Sequence, residues 1–317
     1  LSISLGSSIP LVRTRHHANL SLSCIALRRF PLIRLLLFVS SPMSLVFREA
    51  IVAMVELAQS LASIKLQDLS GKAVLITGAS TGIGAALARA FAAQGAKVGV
   101  HYNASREPAE KLAEEIRAAG GTVHLIQGDV SREGETERVV EETAKTFGHL
   151  DGLINNAGGM LGRKPTSEYT DAHYAAVMDL NARSVLAATR AAHPWLKKQG
   201  GFIINTTSIA ARNGGGNGAI LYAASKGFVS TITRGHAKEF VADRIRVNAV
   251  APGVIATPFH ERYTNDEQME LQRKSIPMGF VGTSEDCVGA YLFLASPTLS
   301  GYITGQIIEV NGGQLMP

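Results

Sequence analysis

The sequence predicts an α/β protein built on a doubly wound parallel sheet of about seven strands, with helices on both faces and a single domain. Short apolar runs alternate with amphipathic helical stretches over most of the 317 residues. The run Ala73–Ile76 is apolar at every position, as expected of a strand buried on both faces. A glycine-rich turn and then a helix follow it, and this order predicts right-handed βαβ units of the Rossmann type.

The predicted strands and helices alternate regularly from residue 72 onward. Strands are predicted at residues 73–76, 98–102, 123–127, 150–155, 202–207, 245–250 and 307–310. Helices are predicted at residues 85–94, 107–119, 132–147, 171–198 and 222–242. Gly95 and Gly120 are expected to end the first two helices, since glycine tolerates the left-handed conformation that closes a helix.

The first 53 residues differ in composition from the rest. Six arginines against the single acid Glu49 account for the whole net charge of +5, so the remaining chain has no basic excess and nucleic acid is not an expected partner. The segment suits either an organelle-targeting peptide or translation upstream of a true start at Met54. Its apolar run at 32–39 is far shorter than the ~20 residues that span a membrane, so no membrane partner is expected. We expect residues 1–53 to be an extension and residues 54–317 to form one Rossmann-fold oxidoreductase domain.

The cysteines and histidines give no sign of a metal site. Cys24 and Cys287 lie far apart, and the nine histidines show no pairing at metal-ligand spacing. We therefore expect no metal and a reducing compartment, the cytoplasm.

The turn after the first strand has the pattern of a dinucleotide-binding loop. Gly78 is expected to make the tight turn, Gly82 to let the backbone approach a pyrophosphate, and Gly84 to pack the helix against the strand. The helix amino terminus then presents free N–H groups and the positive end of its dipole to the anion. The residues predicted here to bind the cofactor are Gly78, Ser80, Thr81, Gly82, Ile83 and Gly84.

The end of the second strand bears on the choice between the two nicotinamide cofactors. An NAD site places an acid there for the ribose 2′-hydroxyl, but residues 101–106 contain none. Arg106 and Ser105 are suited to a 2′-phosphate, although Arg106 could also be an ordinary solvated residue at a helix start. NADP(H) is preferred and NAD(H) remains possible. The predicted contacts in this stretch are Tyr102, Asn103, Ser105 and Arg106.

Tyr222 and Lys226 lie four residues apart, one turn along the same helix face. In a partly buried site, an ammonium about 4 Å from a phenol contributes about 4 kcal/mol, enough to lower the tyrosine pKa from about 10 to about 7. Such a tyrosine exchanges protons readily with a carbonyl or alcohol oxygen. Ser208, at the end of the preceding strand, is placed to hydrogen-bond the same oxygen. The predicted catalytic group is therefore Ser208, Tyr222 and Lys226.

Taken together, these motifs resemble the short-chain dehydrogenase/reductase family, in particular its 3-oxoacyl-[acyl-carrier-protein] reductases and glucose dehydrogenases. The T-G-x-x-x-G-x-G pattern at residues 77–84 and the N-N-A-G element at residues 155–158 both match, and the likeness extends over about residues 66–313. The resemblance implies that Asn181 joins the catalytic group by holding a water that relays protons to Lys226. It also implies that Tyr222 and Lys226 contact the cofactor, together with Asp129, Val130, Asn156, Ala157, Gly158, Pro252, Gly253, Val254 and Thr257.

The resemblance leaves the substrate open. The first expectation is an NAD(P)(H)-dependent reductase of ketones or 3-oxoacyl thioesters, and the alternative is a sugar or polyol dehydrogenase. A non-catalytic nucleotide-binding protein is a third possibility, disfavoured because the tyrosine and lysine are both present. Substrate is expected to enter past residues 158–164, 214–219 and 258–278, the last forming a polar helical lid. The family's usual homotetramer is expected as well.

Overall fold

The computed structural model describes residues 65–216, 218–259 and 266–317. Seven parallel strands form one sheet in the order β3-β2-β1-β4-β5-β6-β7. Their bounds are β1 Ala73–Ile76, β2 Lys97–Tyr102, β3 Thr122–Gln127, β4 Gly152–Asn155, β5 Gly201–Thr206, β6 Ile245–Pro252 and β7 Ile307–Val310. The predicted doubly wound parallel sheet of seven strands is confirmed.

Helices follow the strands and cover both faces of the sheet. They are α1 Gly82–Ala93, α2 Arg106–Ala118, α3 Glu135–Phe147, α4 Asp171–Met178, α5 Ser184–Leu196, α6 Ala210–Asn213, α7 Ile220–Glu239, α8 Asp266–Ser275, α9 Ser284–Ala295 and α10 Pro297–Ser300. No helix in the described ranges is long and apolar enough to cross a membrane.

The apolar core lies in two layers, one on each face of the sheet. Along β1 the side chains alternate: Val74 and Ile76 pack with α1, α2 and α9, whereas Leu75 packs with α3, α5 and α7. All four residues of β1 are fully buried, which is why this strand carries no polar position. Residues 65–317 form one compact unit, and the predicted extension at residues 1–53 lies outside the described residues.

The strand order reverses between β1 and β4, because β2 and β3 lie on one side of β1 and the later strands on the other. In open parallel sheets, ligands bind outside the carboxyl ends of the strands at such a reversal. The turns after β1, β4 and β5 all meet at this edge. The topology therefore brings the glycine-rich turn and the predicted catalytic residues to one place.

One predicted helix, at residues 171–198, is interrupted. Between α4 and α5 the chain makes a π-helical turn, Asp179–Arg183, in which the Ser184 N–H donates to the Asp179 carbonyl oxygen. The side chain of Asn181 donates to the Val177 carbonyl oxygen at 2.9 Å. This carbonyl oxygen is one that a regular α-helix would pair with a backbone N–H. Inserted turns of this kind are frequent at functional sites, and this one carries Asn181.

Candidate active site

A cavity of about 610 Å³ opens at the carboxyl edge of the sheet, at the reversal of strand order. Except for Tyr102, Arg106 and Asn181, every residue predicted above for catalysis or cofactor binding lines it. A second cavity, of about 690 Å³, lies at the opposite edge around Asp68, Asp151 and Arg246. None of the predicted site residues lines that second cavity. The first cavity is therefore the candidate active site.

The glycine-rich turn has the backbone shape that its sequence predicts. Gly78 and Gly82 adopt left-handed conformations, with φ of +64° and +55°. A Cβ built on Gly84 would lie 2.3 Å from the Gly78 carbonyl oxygen, so α1 packs against the turn at a distance only glycine allows. Thr81 begins α1 without a side-chain cap, and the first turn of the helix carries no acid. These unblocked N–H groups fit a pyrophosphate.

Asn156 ties the glycine-rich turn to the end of β4. Its Nδ2 donates to the carbonyl oxygens of Thr77 and Gly78 at 2.9 and 3.0 Å. The Thr77 hydroxyl oxygen accepts from the backbone N–H groups of Asn156 and Ala157, both at 3.0 Å. These hydrogen bonds hold the glycine-rich turn and the segment after β4 together at the base of the cavity.

The residues at the end of β2 divide into two groups. Asn103 and Ser105 line the cavity, whereas Tyr102 is buried beneath it and Arg106 points elsewhere. Arg106 is exposed and donates to Glu110 at 2.8 Å, one turn along α2. Arg106 must therefore break or share its hydrogen bond with Glu110 before it can bind a 2′-phosphate.

Asp129 and Val130 lie at the end of β3, on the same side of the cavity as Asn103. The Asp129 carboxylate accepts hydrogen bonds from the Ser131 backbone N–H at 3.0 Å and from its hydroxyl at 2.6 Å. This local turn fixes the direction of the carboxylate, while Val130 is buried and presents an apolar wall. The pair suits a flat, partly polar group such as an adenine.

The tyrosine and serine predicted to be catalytic lie close together in the cavity. Tyr222 is hydrogen-bonded to the side chain of Ser208, and the Ser208 oxygen also accepts from the Ala210 N–H at 3.1 Å. Burial raises the pKa of Tyr222 to about 12, and the hydrogen bond with Ser208 offsets part of that rise. The expected lowering of this pKa by Lys226 is therefore wrong, because desolvation of the phenolate dominates. Tyr222 is a protonated donor at neutral pH.

Lys226 is 4% exposed and its ammonium donates to the Thr206 carbonyl oxygen at 2.8 Å. Its Nζ lies 5.8 Å from the centre of the Tyr222 ring. Burial lowers the pKa of Lys226 to about 8, so the amine is mainly charged at neutral pH and loses its charge just above it. The two side chains share one pocket, as their spacing of one helical turn predicts.

Asn181 lies behind this pair and does not line the cavity. Its Oδ1 accepts from the Gly159 N–H at 3.0 Å and its Nδ2 donates to the Gly159 carbonyl oxygen at 2.8 Å. A Cβ built on Gly158 would lie 2.7 Å from Asn181 Oδ1 and 3.2 Å from Lys226 Nζ. Gly158 is thus the point at which the asparagine, the lysine and the backbone after β4 converge.

The wall facing Tyr222 is formed by the segment after β6. A Cβ on Gly253 would lie 2.6 Å from the Asn311 side chain, so this turn packs tightly on the end of β7. The Thr257 hydroxyl donates to the Ile255 carbonyl oxygen at 3.2 Å. The next residues bring Phe259 to the Tyr222 ring, with ring centres 5.6 Å apart. Of the predicted lid, the structure describes 258–259 and 266–278, including the helix α8.

Sequence reasoning did not single out several polar residues of the cavity, among them His101, Gln272 and Gln314. His101 joins the glycine-rich turn to the end of β3, and its position in an otherwise apolar strand was the available signal. Gln272 and Gln314 line the substrate side, where each has a buried Oε1 without a partner among the described residues. No sequence pattern marks these glutamines, because α8 and the carboxyl-terminal segment meet only in the folded chain.

Comparisons with known proteins agree with this geometry. The family described as "Enoyl-(Acyl carrier protein) reductase" matches residues 78–314. A 3-oxoacyl-[acyl-carrier-protein] reductase of Synechocystis sp. is 37% identical over 253 residues, which cover 78% of this chain and 98% of that protein.

Solved structures show the same likeness. The NADH-dependent reductase A1-R′ responsible for alginate metabolism is 43% identical, with a TM-score of 0.73 over 79% of this chain and 100% of that one. It has also been solved complexed with NAD. A short chain dehydrogenase from Burkholderia cenocepacia in complex with NADP is 33% identical, with a TM-score of 0.74 over 78% of this chain and 99% of that one.

Proposed function

Since the chain belongs to the short-chain dehydrogenase/reductase family of nicotinamide-dependent oxidoreductases, we propose that it reduces ketones or 3-oxoacyl thioesters with NADPH. The observation that carries this proposal is a half-buried tyrosine hydrogen-bonded to a serine, beside a buried lysine and in the same cavity as an uncapped helix amino terminus. A protonated phenol beside an anion-binding turn is suited to carbonyl reduction.

Ser208 and Tyr222 act together on the carbonyl oxygen. Both hydroxyls converge on it, and Tyr222 donates its proton because its pKa, near 12, keeps it protonated at neutral pH. The bound cofactor supplies the hydride. The Lys226 ammonium stabilises the phenolate that remains, an interaction that strengthens in a site shielded from water. Asn181 positions the backbone of Gly159 on the lysine side of the pocket.

The cofactor is held at three places along the cavity. The N–H groups at the start of α1 bind the pyrophosphate, Asp129 and Val130 contact the adenine, and the turn after β6 with Thr257 holds the nicotinamide end. The preference for NADP(H) is supported by the lack of any carboxylate among Asn103, Ala104 and Ser105, which line the mouth at the end of β2. The related structures include both NAD and NADP complexes, so this choice depends on a direct test.

Substitution of Arg106 by alanine tests the cofactor preference. A guanidinium bound to a 2′-phosphate contributes about 1.5–3 kcal/mol, so Arg106→Ala should raise Kd for NADPH by about ten- to a hundredfold. Kd for NADH should change less than threefold, because NADH lacks that phosphate. Glu110→Gln is the matched control: it removes the carboxylate that holds Arg106 and should leave NADPH binding intact or tighten it. Equal losses for both cofactors would remove Arg106 from the site.

A sugar or polyol dehydrogenase is the second candidate, and Gln272 and Gln314 favour it. Each has a buried acceptor oxygen without a described partner, and such an atom costs about 1–3 kcal/mol unless a ligand satisfies it. A substrate hydroxyl supplies the missing donor, whereas an acyl chain does not. Gln314→Leu should therefore raise KM for aldoses about tenfold and leave KM for acetoacetyl thioesters unchanged if the second candidate is right.

The deciding experiment measures NAD(P)H absorbance at 340 nm for a panel of ketones, acetoacetyl thioesters and aldoses. Tyr222→Phe removes only the hydroxyl and should lower kcat at least a thousandfold, because the proton donor is lost. Its Kd for NADPH should stay within threefold of the parent chain. Retained turnover in Tyr222→Phe would refute the proposed mechanism, and the best substrate of the parent chain separates the two candidates.

We propose a homotetramer in addition, as is usual in this family. Support comes from two large, exposed side chains: Tyr174 on α4, a helix that packs against α7, is 53% exposed, and Leu186 on α5 is 39% exposed. Light scattering on the purified chain should give four times the mass of one chain. Leu186→Glu should lower that mass if these helices form the interface.

A further inference from the structure

We infer that His101, as a neutral imidazole, holds the glycine-rich turn in the shape that binds the cofactor, and that its protonation at acid pH weakens cofactor binding. The inference rests on the dinucleotide site proposed above. It makes His101 a positioning residue that acts through the backbone of the turn.

Two hydrogen bonds define the protonation state of His101. Its Nδ1 faces the Gly78 N–H at 3.0 Å, and its Nε2 faces the Gly128 carbonyl oxygen at 3.0 Å. A backbone N–H only donates and a carbonyl oxygen only accepts. Nδ1 must therefore carry the lone pair and Nε2 the hydrogen, which is one tautomer of the neutral ring. A second proton, on Nδ1, would point at the Gly78 amide hydrogen and break the hydrogen bond between them.

The ring is almost fully buried, so little water is available to replace the lost hydrogen bond. His101 is 1% exposed, and it lies at the end of β2 between β1 and β3. Its backbone carbonyl oxygen also accepts from the Ala79 N–H at 2.8 Å, so His101 bonds to two successive residues of the turn, Gly78 and Ala79. Loss of the Gly78 bond would release Gly78 in a turn whose left-handed glycines set the direction of the pyrophosphate-binding N–H groups.

Through its hydrogen bond to Gly128, His101 also acts on the segment proposed to contact the adenine. Gly128 immediately precedes Asp129 and is itself fixed by its N–H, which donates to the Tyr102 carbonyl oxygen at 3.0 Å. One imidazole thus joins the pyrophosphate turn to the segment that contacts the adenine. Both segments line the same cavity, and so does His101.

The surroundings of the ring favour its neutral form. Burial lowers the pKa of His101, and the Arg138 guanidinium of α3 lowers it further, while the Gly128 hydrogen bond, Asp129 and Glu135 raise it. The turn after β1, residues 77–84, contains no titratable side chain, and α2 packs on β2 through apolar side chains. At neutral pH the ring is uncharged, and its charged form appears at a lower pH than in an exposed histidine.

Three substitutions separate the two hydrogen bonds. In His101→Asn the amide oxygen reaches the position of Nδ1 and accepts from Gly78, but it does not titrate. In His101→Gln the amide reaches the position of Nε2 and faces Gly128, leaving Gly78 without an acceptor. His101→Phe fills the volume without either bond. Thermal unfolding of all four full chains shows whether the variants are folded at each pH.

The test is a calorimetric titration with NAD⁺ between pH 5 and pH 8, since NAD⁺ has no 2′-phosphate that titrates near pH 6. We expect Kd of the parent chain to rise as pH falls, toward a limit about five- to tenfold higher once the ring is fully protonated, the equivalent of one lost hydrogen bond. Kd of His101→Asn should match the parent at pH 8 and stay level, whereas His101→Gln and His101→Phe should bind more weakly at every pH.

Two results would overturn the inference. One is an equal rise of Kd with acid in the parent chain and in His101→Asn. The other is a nitrogen NMR spectrum of the protein at neutral pH that places the His101 hydrogen on Nδ1. Failure of NAD⁺ and NADPH to bind any of the chains at pH 8 would instead contradict the proposed function, so the two failures are distinguishable.

Discussion

Replacement of Gly158 by alanine is the most direct test of the catalytic geometry. The backbone at Gly158 is not left-handed, so alanine brings no conformational strain there. The added methyl group would lie 2.7 Å from Asn181 Oδ1 and 3.2 Å from Lys226 Nζ. Carbon and oxygen or nitrogen atoms make contact at about 3.5 Å, so the Asn181 oxygen must move by about 0.8 Å and the Lys226 nitrogen by about 0.3 Å.

The expected effect is on turnover. A misplacement of about 1 Å in a catalytic group costs about a hundredfold in rate, and the Asn181 bond to the Gly159 N–H weakens as well. We expect kcat of Gly158→Ala to fall about a hundredfold in the 340 nm assay. The pH at which activity is lost should also shift, because the surroundings of the lysine change.

Gly159→Ala is the matched control. Its added methyl group would meet only Leu180 and Leu161 side chains, at 3.4 and 3.9 Å, and the backbone hydrogen bonds of Gly159 to Asn181 do not involve its side chain. Its kcat should stay within about threefold of the parent. If the two alanine variants lose activity equally, the contact argument at Gly158 is refuted.

Two further predictions concern pH and the amino-terminal extension. Because burial lowers the pKa of Lys226 to about 8, kcat for carbonyl reduction should be level below pH 7 and fall as pH rises through about 8, when the ammonium loses its proton. Tyr222 stays protonated over that range, so a rate that climbs between pH 7 and 9 would contradict both assignments. Deletion of residues 1–53 should leave kcat and Tm unchanged, since all seven strands lie within residues 73–310. Insoluble protein or a Tm lowered by more than a few degrees would show that the extension belongs to the domain.

The sequence alone determines the features that depend on local spacing. The apolar run, the glycine-rich turn and the helix start occupy consecutive residues. The pattern therefore correctly predicted the strand β1, the tight turn at Gly78 and the close packing at Gly84. The four-residue spacing of Tyr222 and Lys226 puts them on one helix face in any regular helix. The alternation of strand and helix periods likewise predicted about seven parallel strands.

Only the tertiary structure decided the features that depend on residues distant in the chain. The pKa of Tyr222 rises because the folded chain desolvates its ring, and no spacing encodes that burial. The hydrogen bonds of His101 to Gly78 and Gly128 require β1 and β3 on either side of β2, and the crowding at Gly158 requires α7 and the π-helical turn to converge there. Local sequence sets which residues are available, and long-range packing sets their distances, their solvation and therefore their chemistry.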